Sequence, residues 1–484
     1  MKLISNYKYI ILSILILSSC GESKTIGKTI DISEGIESTY YEGDYVIDKN
    51  IDLKGKSMEL PDCGRVIITS RGHVSNGTLI ISPNTYEIEG GWGVFSNVKL
   101  QSKTPLSNTN KCAISEINAR WFCKSVGENI DNTKSLQEAI DAAHSLYIPV
   151  YLPRGYYKIT SSLSLYEGDI LKGEYAGIIT TGHQKGTTFI RYNGDGKSMI
   201  EVKGKYVSVS NLLLSASTPY RTNGFSIEGD AGLYFNLENV FIGNSKYGIA
   251  GTLEKNMGFS ECIWQQVRIW NCVRGLSIDI TSEGGQYVTY NNFYNLCISN
   301  AKEKGVYIRC RAINSCAFRD CLMETVGYAG AYDSKYSNSG IYAIEAVNEG
   351  SQGSLTIDGG YFENIYYSQS KGELVSKFNY ANNAVVSVSN ISLSVMNTRF
   401  ANTRTVVKSN GQDVINIMNC IDNGYLGQEQ SDVTICNPNP KTIIDVNGYS
   451  FANKNKDVIN DASRNAIVRN PSVRNVRSKD GSIR

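Results

Sequence analysis

Between residues 208 and 423 one short unit keeps returning, and it leaves few architectures open. The unit is an Asn or another turn former, an apolar-x-apolar pair, one variable residue and a second Asn. It reads Asn239-Val240-Phe241-Ile242-Gly243-Asn244, then Gln266-Val267-Arg268-Ile269-Trp270-Asn271, then Asn295-Leu296-Cys297-Ile298-Ser299-Asn300. Weaker copies end at Thr325, Asn364, Asn402 and Asn423, and successive closing residues stand 27, 29, 25, 39, 38 and 21 residues apart. A coil of three short strands and three turns takes roughly 20 to 30 residues, and the longer steps are loops bulging from one turn. Asparagine suits the closing position because it tolerates the left-handed backbone of a tight turn, and stacked amides bond one another from rung to rung. A second strand opens on glycine in the same rungs, at Gly224, Gly248, Gly275, Gly305 and Gly340. Two strand types in fixed order describe a solenoid, whereas a propeller needs four strands per blade.

The rest of the composition agrees. In 484 residues, 45 Gly and 31 Tyr against 9 Pro, with only 19% charged residues, suit a turn-rich β protein. A net charge of +2 argues against a nucleic-acid partner held by general charge. Lys2 and Lys8 precede an apolar run over residues 9–17, which closes on Leu17-Ser18-Ser19-Cys20. That segment resembles the lipobox of bacterial lipoprotein signals. It implies a signal peptide over 1–19, lipidation of Cys20, a cell-envelope location and membrane contact through the anchor only. The other eleven of the 12 cysteines are an odd number without metal-type spacing, and are expected to be mostly free thiols in strands.

Residues 20–115 read as a smaller N-terminal β region of short runs broken by Gly, Asn and Asp. Residues 131–143 give one helix, apolar at Leu136, Ala139, Ile140 and Ala143, with Asp131 to Thr133 as cap candidates. Val150-Tyr151-Leu152-Pro153-Arg154-Gly155-Tyr156 follows. This helix and strand resemble the entry segment of the pectate-lyase-like superfamily. The resemblance implies an all-β, single-stranded right-handed parallel β-helix over 116–450, capped at its N-terminal end by the helix. Residues 451–484 are assigned to a C-terminal tail, a cover strand or a loose end.

Stacked rungs turn residues of one phase into columns on the outer face. The residues before the strand-opening glycines are Asn223, Tyr247, Arg274, Lys304 and Ser339, with Tyr220, Arg221 and Lys246 nearby. The paired Asp motifs of polygalacturonase-like relatives are absent there. A cation at a uronate carboxylate, with Lys or Tyr as base and acid, is the equipment of β-elimination. The first expectation is therefore a polysaccharide lyase acting on a uronic-acid polymer. These residues also fit a solvated turn.

A second column precedes the Asn series: Gly243, Trp270, Ser299, Glu324, Glu363, Ala401 and Asp422. Glu324 and Glu363 on neighbouring rungs suit a retaining glycoside hydrolase, and Trp270 suits stacking on a sugar. The loop over 326–339, with Tyr332 and Lys335, is a candidate cleft wall. His73, His144 and His183 do not cluster in sequence, and no metal site is read. Lyases resembling this fold often use Ca2+, which is the cofactor the resemblance implies. A non-catalytic glycan-binding solenoid is the alternative from outside enzymology.

Overall fold

A computed structural model of the chain describes residues 39–41, 43–106, 112–177, 186–280, 284–327, 340–365, 383–401, 403, 405–422, 433–436, 441–451, 457–461, 467–468 and 476–478. The expected parallel β-helix is what it shows. From Ile117–Asn118 onward, strands pair in parallel with the strand one coil later. Their inward side chains stack in single file: Leu171, Val209, Leu237, Trp264, Phe293, Phe318, Ile357, Val395, Ile417 and Val446 are in register and buried. Trp264 sits edge-on to Phe293, with ring centroids 4.8 Å apart, and its indole N–H donates to the Phe235 carbonyl at 3.0 Å. That bond satisfies the one polar atom the ring brings into the core.

The asparagine column is a column of left-handed turns. Asn244, Asn271, Asn300, Thr325 and Asn364 have φ between 53° and 55°. Asn271 donates its amide to Asn244 Oδ1 at 2.6 Å. A parallel column at Asn211, Asn239, Gln266 and Asn295 does the same, with Asn239 donating to Asn211 at 2.9 Å. Asn402 and Asn423 lie outside the described residues. The strand-opening glycines have a different cause. A Cβ on Gly224, Gly248, Gly275 or Gly305 would fall 2.4–2.6 Å from the carbonyl oxygen of the residue stacked on it. Only glycine permits that approach.

Two column assignments need correction. Gly305 stacks on Ala343, so the basic column continues at Tyr342 and not at Ser339. Asp422 pairs with Phe400, one residue short of the Glu324 column. Three coils also carry an additional short strand, Gly258–Ser260, Tyr287–Thr289 and Ala312–Asn314, which form a sheet of their own.

The N-terminal region is itself a small solenoid. Asp44–Ile47, Arg65–Ile68 and Glu87–Gly90 pair in parallel, and Asn50–Asp52 and Ser57–Glu59 both pair onto His73–Ile81, which pairs onto Phe95–Ser102. The helix Thr133–Leu146 stands between the two solenoids. On one side Glu138 accepts from the Asn97 N–H at 3.1 Å, and Ser145 donates to the Leu100 carbonyl. On the other, Gln137 accepts from the Ser164 N–H at 2.8 Å and donates to its carbonyl at 3.2 Å. Leu136, Ala139, Ile140, Ala143 and Leu146 fill the space beneath. At the far end the ladder runs past residue 450, because Asp457–Asp461 pairs onto Val433–Cys436 and Val476–Ser478 onto Asp457–Asp461.

The ten described cysteines with described side chains are free, and eight of them are buried. Burial pushes the Cys321 and Cys310 thiols up to about 12. Among the described residues no helix is long and apolar enough to cross a membrane. Cys20 and the segment before it lie outside them.

Candidate active site

Glu324 and Glu363 close two three-residue strands, Leu322–Glu324 and Tyr361–Glu363. The middle residues, Met323 and Phe362, are fully buried, so alternation turns both glutamates outward. The strands are in register and Glu324 stands directly against Glu363. Adjacent strands lie about 4.8 Å apart, a backbone spacing compatible with the about 5–5.5 Å carboxyl separation of a retaining pair. Each glutamate is half-buried and is followed by a left-handed residue, Thr325 or Asn364. Tyr361, two residues before Glu363 on the same face, bonds its carboxylate. Burial, and then that carboxylate, raise the Tyr361 hydroxyl above the usual phenol range.

The same column holds Ser299 one rung earlier and Trp270 two rungs earlier. Trp270 is half-buried against an outer apolar cluster of Phe189, Leu213 and Phe241. The connection after each corner residue also changes here. Asn244 to Tyr247 and Asn271 to Arg274 take 3 residues and Asn300 to Lys304 takes 4, whereas Thr325 to Tyr342 takes 17 and Asn364 to Ala384 takes 20. Tyr332 and Lys335 belong to the first long connection and lie outside the described residues.

Tyr247, Arg274 and Lys304 do stack in register. They are not the open cationic turn expected from sequence. Lys304 is only 3% exposed. A bulge places one extra residue between Ala301 and Lys304, opposite the stretch from Cys272 to Arg274, and the longer stretch contains Glu303. Arg274 donates to both Glu303 oxygens, from Nε at 2.9 Å and from Nη2 at 2.8 Å. Lys304 pairs with Glu345 and lies 3.7 Å from Glu303. Burial opposes the Arg274 charge, but the Glu303 carboxylate more than offsets this and holds the guanidinium pKa above its usual value. Tyr247, Tyr307 and Tyr342 pack against these cations, the closest being Arg274 at 4.4 Å from the Tyr307 ring centre. Burial, and then Asp279, push the Tyr307 hydroxyl up to about 12.

Sequence reasoning missed Glu303, Glu345 and Tyr307. The signal was available in Lys304-x-x-Tyr307 against Tyr342-x-x-Glu345, but only with the register at Tyr342. Tyr220 donates its hydroxyl to Asn271 and lies under Lys302, so it braces the asparagine column. Arg221 is exposed beside it. His144 meets Asp169 at 2.8 Å and His73 meets the Gly93 carbonyl at 2.9 Å, both away from the glutamates in the fold's N-terminal part. Among the described residues no three His, Cys, Asp or Glu side chains gather as a metal site.

No model of a protein family matches this chain, and none of the curated proteins compared with it matches. Solved structures do resemble it. The gp42 tailspike of Acinetobacter phage vb_AbaP_AS12 superposes with a TM-score of 0.53 at 12% identity, over 78% of this chain and 66% of that one. The enzymatically active domain of tailspike protein 2 of bacteriophage CBA120 gives 0.45 at 10% identity, over 70% and 52%. The catalytic domain of a GH87 alpha-1,3-glucanase, solved with nigerose, gives 0.43 at 13% identity, over 76% and 70%. The likeness to the gp42 tailspike is one of fold. This chain spans less than two thirds of either tailspike chain.

Proposed function

We propose that this chain is a carbohydrate-active protein, and that it hydrolyses a glycosidic bond at Glu324 and Glu363. The observation that carries the reading is the in-register stacking of the two outward glutamates on consecutive rungs. A rung ladder gives an extended polymer a face to lie along, and Trp270, two rungs away, supplies an aromatic surface for a sugar. In this scheme Glu363 attacks the anomeric carbon, and the hydrogen bond from Tyr361 steadies its carboxylate. Glu324 protonates the leaving oxygen. It then takes a proton from the water that releases the sugar from Glu363.

Uronate β-elimination relied on open cations at Arg274 and Lys304, and Glu303 and Glu345 now occupy them. Product masses from a glycan panel separate the two chemistries, because an elimination product is lighter by one water than a hydrolytic one. Glu324→Gln and Glu363→Gln should each lower turnover by orders of magnitude with little change in Tm. Unchanged turnover in both removes the pair. We also propose that Cys20 carries a lipid that fixes the protein to the cell envelope, and Cys20→Ser should then release it from the membrane fraction.

A further inference from the structure

A third corner of the solenoid breaks the asparagine rule. Gly168, Tyr206, Tyr234, Glu261, Tyr290 and Ser315 occupy it on successive rungs, and all but the first are non-glycine residues with φ between 54° and 61°. Their backbone N–H groups form one ladder: Tyr206 donates to the Leu233 carbonyl, Tyr234 to Ser260, Glu261 to Thr289 and Tyr290 to Asn314, at 2.9–3.1 Å. Asparagine does the same task at Asn211, Asn239 and Asn295. A bulky residue in the left-handed region is an outlier with an energetic cost, and three tyrosines bear it here. They do not recover it in the core, since Tyr206 is 53% and Tyr290 61% exposed.

The rings have room for a ligand. Tyr206 and Tyr234 stack with centroids 4.7 Å apart and an interplanar angle of 17°. The next position on the Tyr206 side is Gly168, where an added Cβ would meet nothing within 4 Å. On the other side Tyr234 and Tyr290 are two rungs apart with the exposed Glu261 between them, and among the described residues no aromatic ring lies against Tyr290. Beside the strip, Lys205 pairs with Asp230 and Lys203 with Glu201. Glu261 is thus the charge the corner itself presents; it already accepts the Tyr234 hydroxyl, and it repels a polyanion while its remaining oxygen lone pairs accept further hydroxyl donors.

We propose that this corner is a binding strip for an uncharged stretch of glycan. Sugar faces lie against the tyrosine rings, and sugar hydroxyls donate to Glu261. The strip is one residue wide and so offers far less surface than the roughly 800 Å2 per partner of a stable protein interface. It is independent of the chemistry at Glu324 and Glu363. Two strands and the Asn239–Asn295 corner separate the two places along each coil.

The test is native affinity electrophoresis of the full chain through gels containing a β-glucan, an α-glucan, a galactomannan or a xylan, in a Glu363→Gln background so that retardation reports binding. At least one polymer should retard the protein. Tyr206→Asn and Tyr290→Asn should each weaken that retardation roughly tenfold, the order expected for losing one stacked ring. Asparagine suits the backbone there, so Tm should hold or rise in both variants. Retardation by none of the four polymers, or equal retardation of both variants, overturns the proposal. A concentration-dependent doubling of mass that the same variants abolish assigns the strip to a second copy of the chain, and overturns it too.

Discussion

Glu303 grips the Arg274 guanidinium with both carboxylate oxygens, at 2.8 and 2.9 Å, from a position that exists only because its strand bulges. Both side chains are largely withdrawn from water, at 6% and 17% exposure. Removing one partner of such a pair leaves a buried charge uncompensated, at a cost of about 3–5 kcal/mol. Glu303→Ala and Lys304→Ala should both show losses of that order in urea unfolding. A loss below ~1 kcal/mol in Lys304→Ala would restore the exposed-turn picture.

Thr325 is the one β-branched residue in a column otherwise made of asparagine. Its φ of 55° strains a side chain branched at Cβ, and such residues cost on the order of 1–3 kcal/mol. Thr325→Asn should therefore raise stability by about 1 kcal/mol, read as a higher Tm or urea midpoint.

The glycine column gives a paired comparison. An added methyl at Gly275 would sit 2.6 Å from the Gly305 carbonyl oxygen and 2.6 Å from Ile298 Cδ1. Overpacking of that kind costs about 1–3 kcal/mol or more. At Gly91 a Cβ meets nothing within 4 Å. Gly275→Ala should destabilise by at least ~2 kcal/mol while Gly91→Ala stays within roughly 0.5 kcal/mol.

Alkaline pH should find Tyr307. Its hydroxyl is raised from 10.0 to about 12, by burial first and then by Asp279. The folded chain therefore holds this proton where the unfolded chain has released it, and stability falls as pH rises from 10 to 12. In Tyr307→Phe that decline should be shallower. Tyr307→Phe should leave the native phenolate absorbance that titrates near 10 unchanged, while the unfolded variant shows one titrating group fewer than the unfolded wild type. Equal slopes in the two proteins would count against this assignment.

Much of the solenoid is legible in the sequence because its corners demand particular backbones. Asn244, Asn271 and Asn300 follow the same apolar pair, and the positive φ that justifies asparagine is where the pattern puts it. Glu324 and Glu363 are legible for the same reason, since each precedes a corner residue. Phase is lost where a long connection intervenes: 17 residues separate Thr325 from Tyr342, and Gly340 imitates the strand-opening glycine. The carboxylates on Arg274 and Lys304 escaped notice because a bulge shifts the count by one, and no periodic reading registers a single inserted residue. The tyrosine corner escaped because its backbone is unusual for its residues. The N-terminal coils were hidden by short strands without a repeated apolar-x-apolar signature, although Asn76 and Asn97 stand 21 residues apart and both adopt positive φ.

A parallel ladder ends in a row of unsatisfied amide and carbonyl groups, and such a row recruits any strand that drifts past. In this protein two ladders end toward one another, and the fourteen residues Thr133–Leu146 answer both. Glu138 and Ser145 engage the edge at Asn97 and Leu100, and Gln137 engages the edge at Ser164. One helix thereby closes the facing ends of two ladders within the chain, and the same few side chains satisfy both.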